Sequence, residues 1–172
     1  MTEPAFSTPW ITVDYVPAQH GDGTSYEHTR ITGGNGRGAV VIPFTWWRGR
    51  VKVGLVSTMR PALGAEMIEF CRGMVEDDSA AEALREFGEE FGLGEQVQEF
   101  SHRKIGEVAV DSGIMANISG VWVVYVRPEI AEATEGFRED ETGGVVQWQM
   151  LDTLRVMIAQ GCLTALLRLL SG

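Results

Sequence analysis

The segment from Ser79 to Gly92 constrains the fold of this 172-residue chain more than any other, because it reads as a helix set among β-rich runs. Ser79 followed three residues later by Glu82 makes a capping-box pair, and Gly92 is a residue suited to close a helix at its C-terminal end. A helix turns about 100° per residue, so with Leu84 as origin, Ala80, Ala83, Phe87 and Phe91 fall together on one apolar stripe. A stripe of that kind has to be buried against a flat partner, and the flanking sequence offers strands.

Those strands are read from alternation and β-branched content. Trp10 to Val16 and Tyr26 to Thr32 form a small N-terminal pair ahead of the turn-rich Gly33-Gly34-Asn35-Gly36. Gly38 to Phe44 and Val51 to Ser57 flank Trp46 to Arg50 as a hairpin-like central pair. Met67 to Phe70, Glu99 to Val110, Gly120 to Val126 and Val145 to Met150 supply further strands. Pro128 to Glu141 reads as an acidic linker, and Leu151 to Ala159 and Leu163 to Leu170 as amphipathic helical segments. Strands first and last, with helices between and after, predict an α/β chain with a mixed sheet packed by helices. Residues 1–36 are assigned to an N-terminal β arm and residues 37–172 to the main domain.

The other face of the central helix carries chemistry. Glu82, Glu86, Glu89 and Glu90 crowd one side with Arg85 beside them. Like charges at these spacings cost a few tenths of a kcal/mol per pair, roughly, which a merely solvated helix usually dilutes with lysine. Hard divalent cations such as Mg²⁺ or Mn²⁺ prefer carboxylate oxygens, and Glu86 and Glu90, one turn apart, can reach a single ion. A plain acidic solvent face is the alternative.

Residue order separates the two. Arg85-Glu86-Phe87-Gly88-Glu89-Glu90-Phe91-Gly92-Leu93 matches R-E-U-x-E-E-x-G-U, the second half of the Nudix box, where U is apolar. The chain therefore resembles the Nudix hydrolases, which split a diphosphate linking a nucleoside to another group. The resemblance implies an α/β/α sandwich, with Glu86, Glu89 and Glu90 as metal-site carboxylates and Arg85 orienting them. It assigns Arg85, Glu86 and Glu89 to the catalytic machinery. The first half of the box departs from the pattern: Asp77 stands at the Glu position and the loop after Gly73 is about two residues short. Asp77 or Asp78 is the candidate substitute.

The resemblance reaches further. Arg60-Pro61 and Glu69-Phe70-Cys71-Arg72-Gly73 are similar to the segment before the box in ADP-ribose pyrophosphatase-like members, with Cys71 replacing a proline. This implies substrate-binding roles for Arg60, Glu69, Arg72 and Gly73, with Arg60 and Glu69 near substrate or metal; a surface arginine and an edge-strand carboxylate are the alternatives for those two. Gly106-Glu107-Val108 with Asp111 to Ala116 resembles a strand and loop of the same subgroup, expected to face the diphosphate. The N-terminal strands fit an arm exchanged between subunits there, which implies a homodimer. Many relatives also carry a glutamate after the box as general base or further ligand. Glu141 is the first choice here, with Glu139 and Asp140 behind it, and a solvated linker is the alternative. His20, His28 and His102 lack ligand spacing, Gly33 to Gly38 precedes a strand and makes a poor phosphate cradle, and Trp46-Trp47 is a hairpin tip or a dimer contact.

Charge distribution fits this placement. The formal net charge is −10, which argues against nucleic acid or an anionic membrane as partner. Residues 76–90 and 129–141 together hold 13 acids and 2 bases, leaving 11 acids and 12 bases elsewhere. Bound divalent ions would reverse the local sign, so a diphosphate is not excluded. Cys71 and Cys162 are too few for a disulfide framework, and no leader or run of roughly 20 apolar residues is visible, so a soluble cytoplasmic protein is expected. Two readings stand. One is a Mg²⁺- or Mn²⁺-dependent pyrophosphatase acting on a nucleoside diphosphate such as ADP-ribose. The other is a noncatalytic Nudix-like domain that binds a nucleotide as sensor or scaffold.

Overall fold

A computed structural model describes residues 4–109, 111–140, 143–151 and 154. Three N-terminal strands, β1 (Phe6–Ser7), β2 (Ile11–Gln19) and β3 (Ser25–Gly33), form an antiparallel sheet of their own in sequence order. The main sheet holds β4 (Arg37–Trp47), β5 (Arg50–Arg60), β6 (Ala65–Glu69), β7 (Cys71–Met74), β8 (His102–Ala109), β9 (Ile118–Tyr125) and β10 (Val145–Met150). Its path runs β10-β5-β4-β9-β8, with β6 added beside β5 and β7 beside β4. Strands β4 and β9 are parallel, whereas β5 pairs antiparallel with β4, β6 and β10, so the sheet is mixed.

Sequence explains these choices locally. β4 and β5 form the expected hairpin, with Trp47 paired to Arg50 and the two residues between them, Arg48 (φ 51°) and Gly49 (φ 77°), both left-handed. That is the turn geometry whose twist suits a two-residue hairpin. Valine-rich β4, β5 and β9 are buried on both faces, which is why they read as continuous apolar runs rather than as alternation. On one face, Val41, Val56, Val124 and Trp148 pack against helix α1 (Ala80–Glu90) through Ala83, Leu84, Phe87 and Phe91. On the other, Ile42, Val53, Leu55, Phe70, Val121 and Val123 form a second cluster that Leu151 and Leu154 join.

Three expectations change. Residues 94–99 are a 3-10 helix, so the strand expected from Glu99 begins only at His102. The acidic linker contains helix α2 (Pro128–Thr134), with Pro128 in the first turn and Ala131 and Thr134 buried. Proline suits that position because its missing N–H would have had no helical acceptor. The short strands β1 and β7 were also unexpected. The helical segments expected at Leu151 to Ala159 and Leu163 to Leu170 fall, apart from Leu151 and Leu154, outside the described residues, as does Cys162. Among the described residues no helix is long and apolar enough to cross a membrane.

Candidate functional site

Helix α1 starts as its sequence requires. Ser79 is extended (φ −95°, ψ 158°) and its Oγ accepts from the Glu82 N–H at 3.2 Å. The return half of the capping box is redirected: Glu82 Oε2 accepts from the Glu76 N–H at 3.2 Å, while the Ser79 N–H goes to Asp77 Oδ1 at 2.9 Å. Asp77 therefore serves a local turn, and Asp78 forms an ion pair with Lys104. Neither lines the cleft described next, so neither substitutes there for the absent glutamate. At the far end Gly92 is left-handed (φ 65°), as expected. Gly88 has a packing reason: a Cβ there would lie 2.7 Å from the Gly94 carbonyl.

The glutamate face of α1 forms one wall of a cleft of about 360 Å³, together with Arg60, Glu69, Arg72, Gly73 and Glu139. Arg85 organises that wall. Its Nη1 donates to both carboxylate oxygens of Glu89 (2.9 and 2.8 Å), and its Nη2 to Glu86 at 2.5 Å. Glu86 lies directly against Gly73, where any Cβ would meet Oε2 at 1.8 Å; only glycine leaves room for that carboxylate. Burial raises the Glu86 pKa, against the opposing pull of Arg85. Burial also pushes Glu90 up to about 7, although the Cys71 thiol and the Arg72 backbone N–H both hydrogen-bond to it. Cys71, in place of a proline, thus brings a hydrogen-bonding group from the buried core up to Glu90.

A cationic cluster lines the same cleft. Glu69 is 2% exposed and is gripped from two sides, by Arg60 Nε at 3.0 Å with Nη2 closer still, and by Arg72 Nε at 3.1 Å and Nη2 at 3.2 Å. Burial works against its charge, but the two arginines outweigh it and hold the carboxyl below its usual range. The two arginine side chains are about one-third exposed, and the triad carries one net positive charge. Glu69 reaches this place through strand register, since β6 pairs Glu69 with Val56 and Ala65 with Arg60.

The structure thus brings Arg60, Glu69, Arg72, Gly73, Glu86, Glu89 and Glu90 to one cleft, with Arg85 beside its glutamates. Of the second acidic stretch, Glu139 joins them. Its loop is closed by Glu139 N–H to the Gly144 carbonyl (2.9 Å) and by Arg138 Nη1 to the Gly143 carbonyl (2.8 Å). Glu141 lies outside the described residues. Thr58 lines the cleft unannounced by motif, although its place two residues before Arg60 on β5 puts both on one strand face. The strand expected at Gly106 to Val108 is present within β8, but neither it nor the 111–116 turn lines this cleft: Glu107 pairs with Lys104, and the turn hooks onto β3 through Ile31 N–H to the Ile114 carbonyl and Ala116 N–H to the Ile31 carbonyl, each 2.8 Å. His20 stacks on Tyr26, and His102 bonds to the Phe100 carbonyl, in line with structural roles.

Among the described residues no three His, Cys, Asp or Glu side chains converge as a ready metal cage. The donors nevertheless suit a hard divalent ion: oxygen only, anionic, on one helix face, with Gly73 leaving a side-chain-free wall beside Glu86.

No family model matches the chain, and no curated protein matches it. Among solved structures it is similar to a MutT/Nudix family protein from Listeria innocua, with a TM-score of 0.59 and 19% identity over 80% of this chain and 92% of that one. At that identity the likeness concerns the fold. The architecture is accordingly the Nudix type: a mixed sheet packed by helices, preceded by a β arm.

Proposed function

We propose that the protein is a divalent-metal-dependent pyrophosphohydrolase of nucleoside diphosphates linked to a second moiety, with ADP-ribose as the leading substrate. The observation that carries this reading is the meeting, in one cleft, of the Arg60–Glu69–Arg72 triad and the glutamate face of α1. Arginine guanidiniums recognise phosphate oxygens, and the carboxylates lining the same cleft would repel those phosphates unless cations stood between. Glu86, Glu89 and Glu90 would hold Mg²⁺ or Mn²⁺, which supplies charge neutralisation of the diphosphate and a more acidic water.

The chain's own residues do the rest. Arg60 and Arg72 hold the diphosphate, Glu69 holds the arginines, and Arg85 fixes Glu86 and Glu89. Water adds to one phosphorus, the bond from that phosphorus to the bridging oxygen breaks, and the water proton passes to a loop carboxylate, Glu139 by geometry or Glu141 by resemblance. The products are AMP and the phosphorylated sugar. The exposed Phe6, Trp10 and Tyr15 of the arm fit a homodimer contact, which light scattering would test.

The second reading, a noncatalytic nucleotide-binding domain, draws on Asp77, which caps a turn instead of entering the cleft. Incubation with ADP-ribose and Mg²⁺ followed by product analysis separates the two. Release of AMP supports hydrolysis, and tight binding with ADP-ribose left intact supports the sensor.

A further inference from the structure

The connection from β7 to α1, residues 75–79, decides where the helix enters and therefore where its glutamates stand relative to Gly73. Its backbone is held from outside by the turn that ends the N-terminal arm, just after β3. Asn35 Nδ2 donates to the Val75 carbonyl at 2.9 Å and to the Glu76 carbonyl at 3.0 Å, while its Oδ1 accepts from the Arg37 N–H at 2.9 Å. The β4–β7 ladder ends at Gly38 opposite Met74, and the Arg37 carbonyl receives only a long bond, 3.4 Å, from Val75. The Asn35 side chain takes over the pairing where that ladder gives out. Beyond the tied Glu76, just Asp77 and Asp78 precede the N-cap Ser79, so little slack separates the tie from the helix.

The turn is itself anchored. Asn117 Oδ1 accepts from the Gly33 N–H at 2.8 Å, and its Nδ2 donates to the Gly33 carbonyl at 3.0 Å. Gly34, left-handed at φ 53°, comes so close to Met74 that a Cβ would lie 2.9 Å from its sulfur. Glu76 then passes the restraint to the helix through its N–H bond to Glu82.

We infer that Asn35 is a positioning residue for the carboxylate site, fixing the β7–α1 connection so that Glu86 and Glu90 are presented to a divalent ion. This rests on the reading of those carboxylates as a metal site. Outer partners that orient ligands typically contribute about tenfold to a hundredfold in metal affinity.

Two substitutions separate the tie from the turn. Asn35→Asp keeps an acceptor for the Arg37 N–H and turns a carboxylate oxygen toward two carbonyls, so the turn survives and the tie is lost. Asn35→Ala loses both. Mn²⁺ titration by electron paramagnetic resonance, hydrogen exchange at the Val75 and Glu76 amides and thermal melting are the readouts. In the Asp variant the expected result is Mn²⁺ affinity weakened about tenfold, faster exchange at both amides, and a Tm within a few degrees of the unaltered protein. Mn²⁺ affinity in the Asp variant equal to that of the unaltered protein overturns the inference, whether or not Asn35→Ala weakens it. If the unaltered protein binds no Mn²⁺, the reading of the carboxylates fails first and takes the positioning role with it.

Discussion

The two acidic stretches, residues 76–90 and 129–141, carry similar densities of negative charge and end in different physical states. In the first, Glu82, Glu86 and Glu89 all pair with Arg85, and Glu90 is buried deeply enough for its pKa to rise to about 7. In the second, Glu129 forms a 3.4 Å pair with Arg127 in which both side chains are about two-thirds exposed, and Glu132 is exposed on α2. Glu135 braces β10 by accepting from the Trp148 N–H at 3.0 Å, and Glu139 reaches the cleft. Charge density in a sequence therefore marks candidates. Burial and a shared counter-charge decide which of them carry chemistry.

This contrast can be broken by substitution. Glu90→Gln removes a half-buried carboxyl from the first stretch and should lower the turnover of ADP-ribose by about two orders of magnitude or more, on the several-kcal/mol scale of metal-assisted catalysis. Unchanged turnover in steady-state assays would remove the metal-site assignment. Glu139→Gln, the one described member of the second stretch in the cleft, should lower kcat by about tenfold or more with KM little changed, as expected for a proton acceptor. A full rate there would pass the role to Glu141 or to neither.

Two smaller effects sharpen the comparison. Glu135→Ala should leave kcat intact and cost about 1 kcal/mol, because the Trp148 N–H loses its acceptor; for a chain of this size that is a fall in Tm of roughly 2–4 °C by calorimetry. Glu129→Gln should change neither rate nor melting measurably, since exposed pairs contribute about 0–1 kcal/mol. A clear loss of activity in that variant would show that the second stretch acts as a charged whole and not through individual members.

What could be read from the sequence was local. The faces of α1, its Ser79 start and its Gly92 end follow from a 3.6-residue period and short-range caps, and the β4–β5 hairpin from flanking apolar runs. Arg60, Glu69 and Arg72 could be named from resemblance, but their mutual grip depends on the register of β6 against β5. The longer-range features escaped. The 111–116 turn meets Ile31, some 80 residues earlier, and the Asn35 tie spans 40 residues. Helix α2 was missed because its acids and its proline suggested a linker, whereas buried Ala131 and Thr134 give it a packed side.

The most direct test of the central claim is phosphorus NMR of ADP-ribose incubated with the protein and Mg²⁺. The account predicts disappearance of the diphosphate signals and growth of two phosphomonoester signals, from AMP and the sugar phosphate, with no reaction in the presence of EDTA and a reaction slowed by about two orders of magnitude or more with Glu90→Gln. Diphosphate signals that persist while the protein binds the nucleotide, or hydrolysis that continues in EDTA, would contradict it.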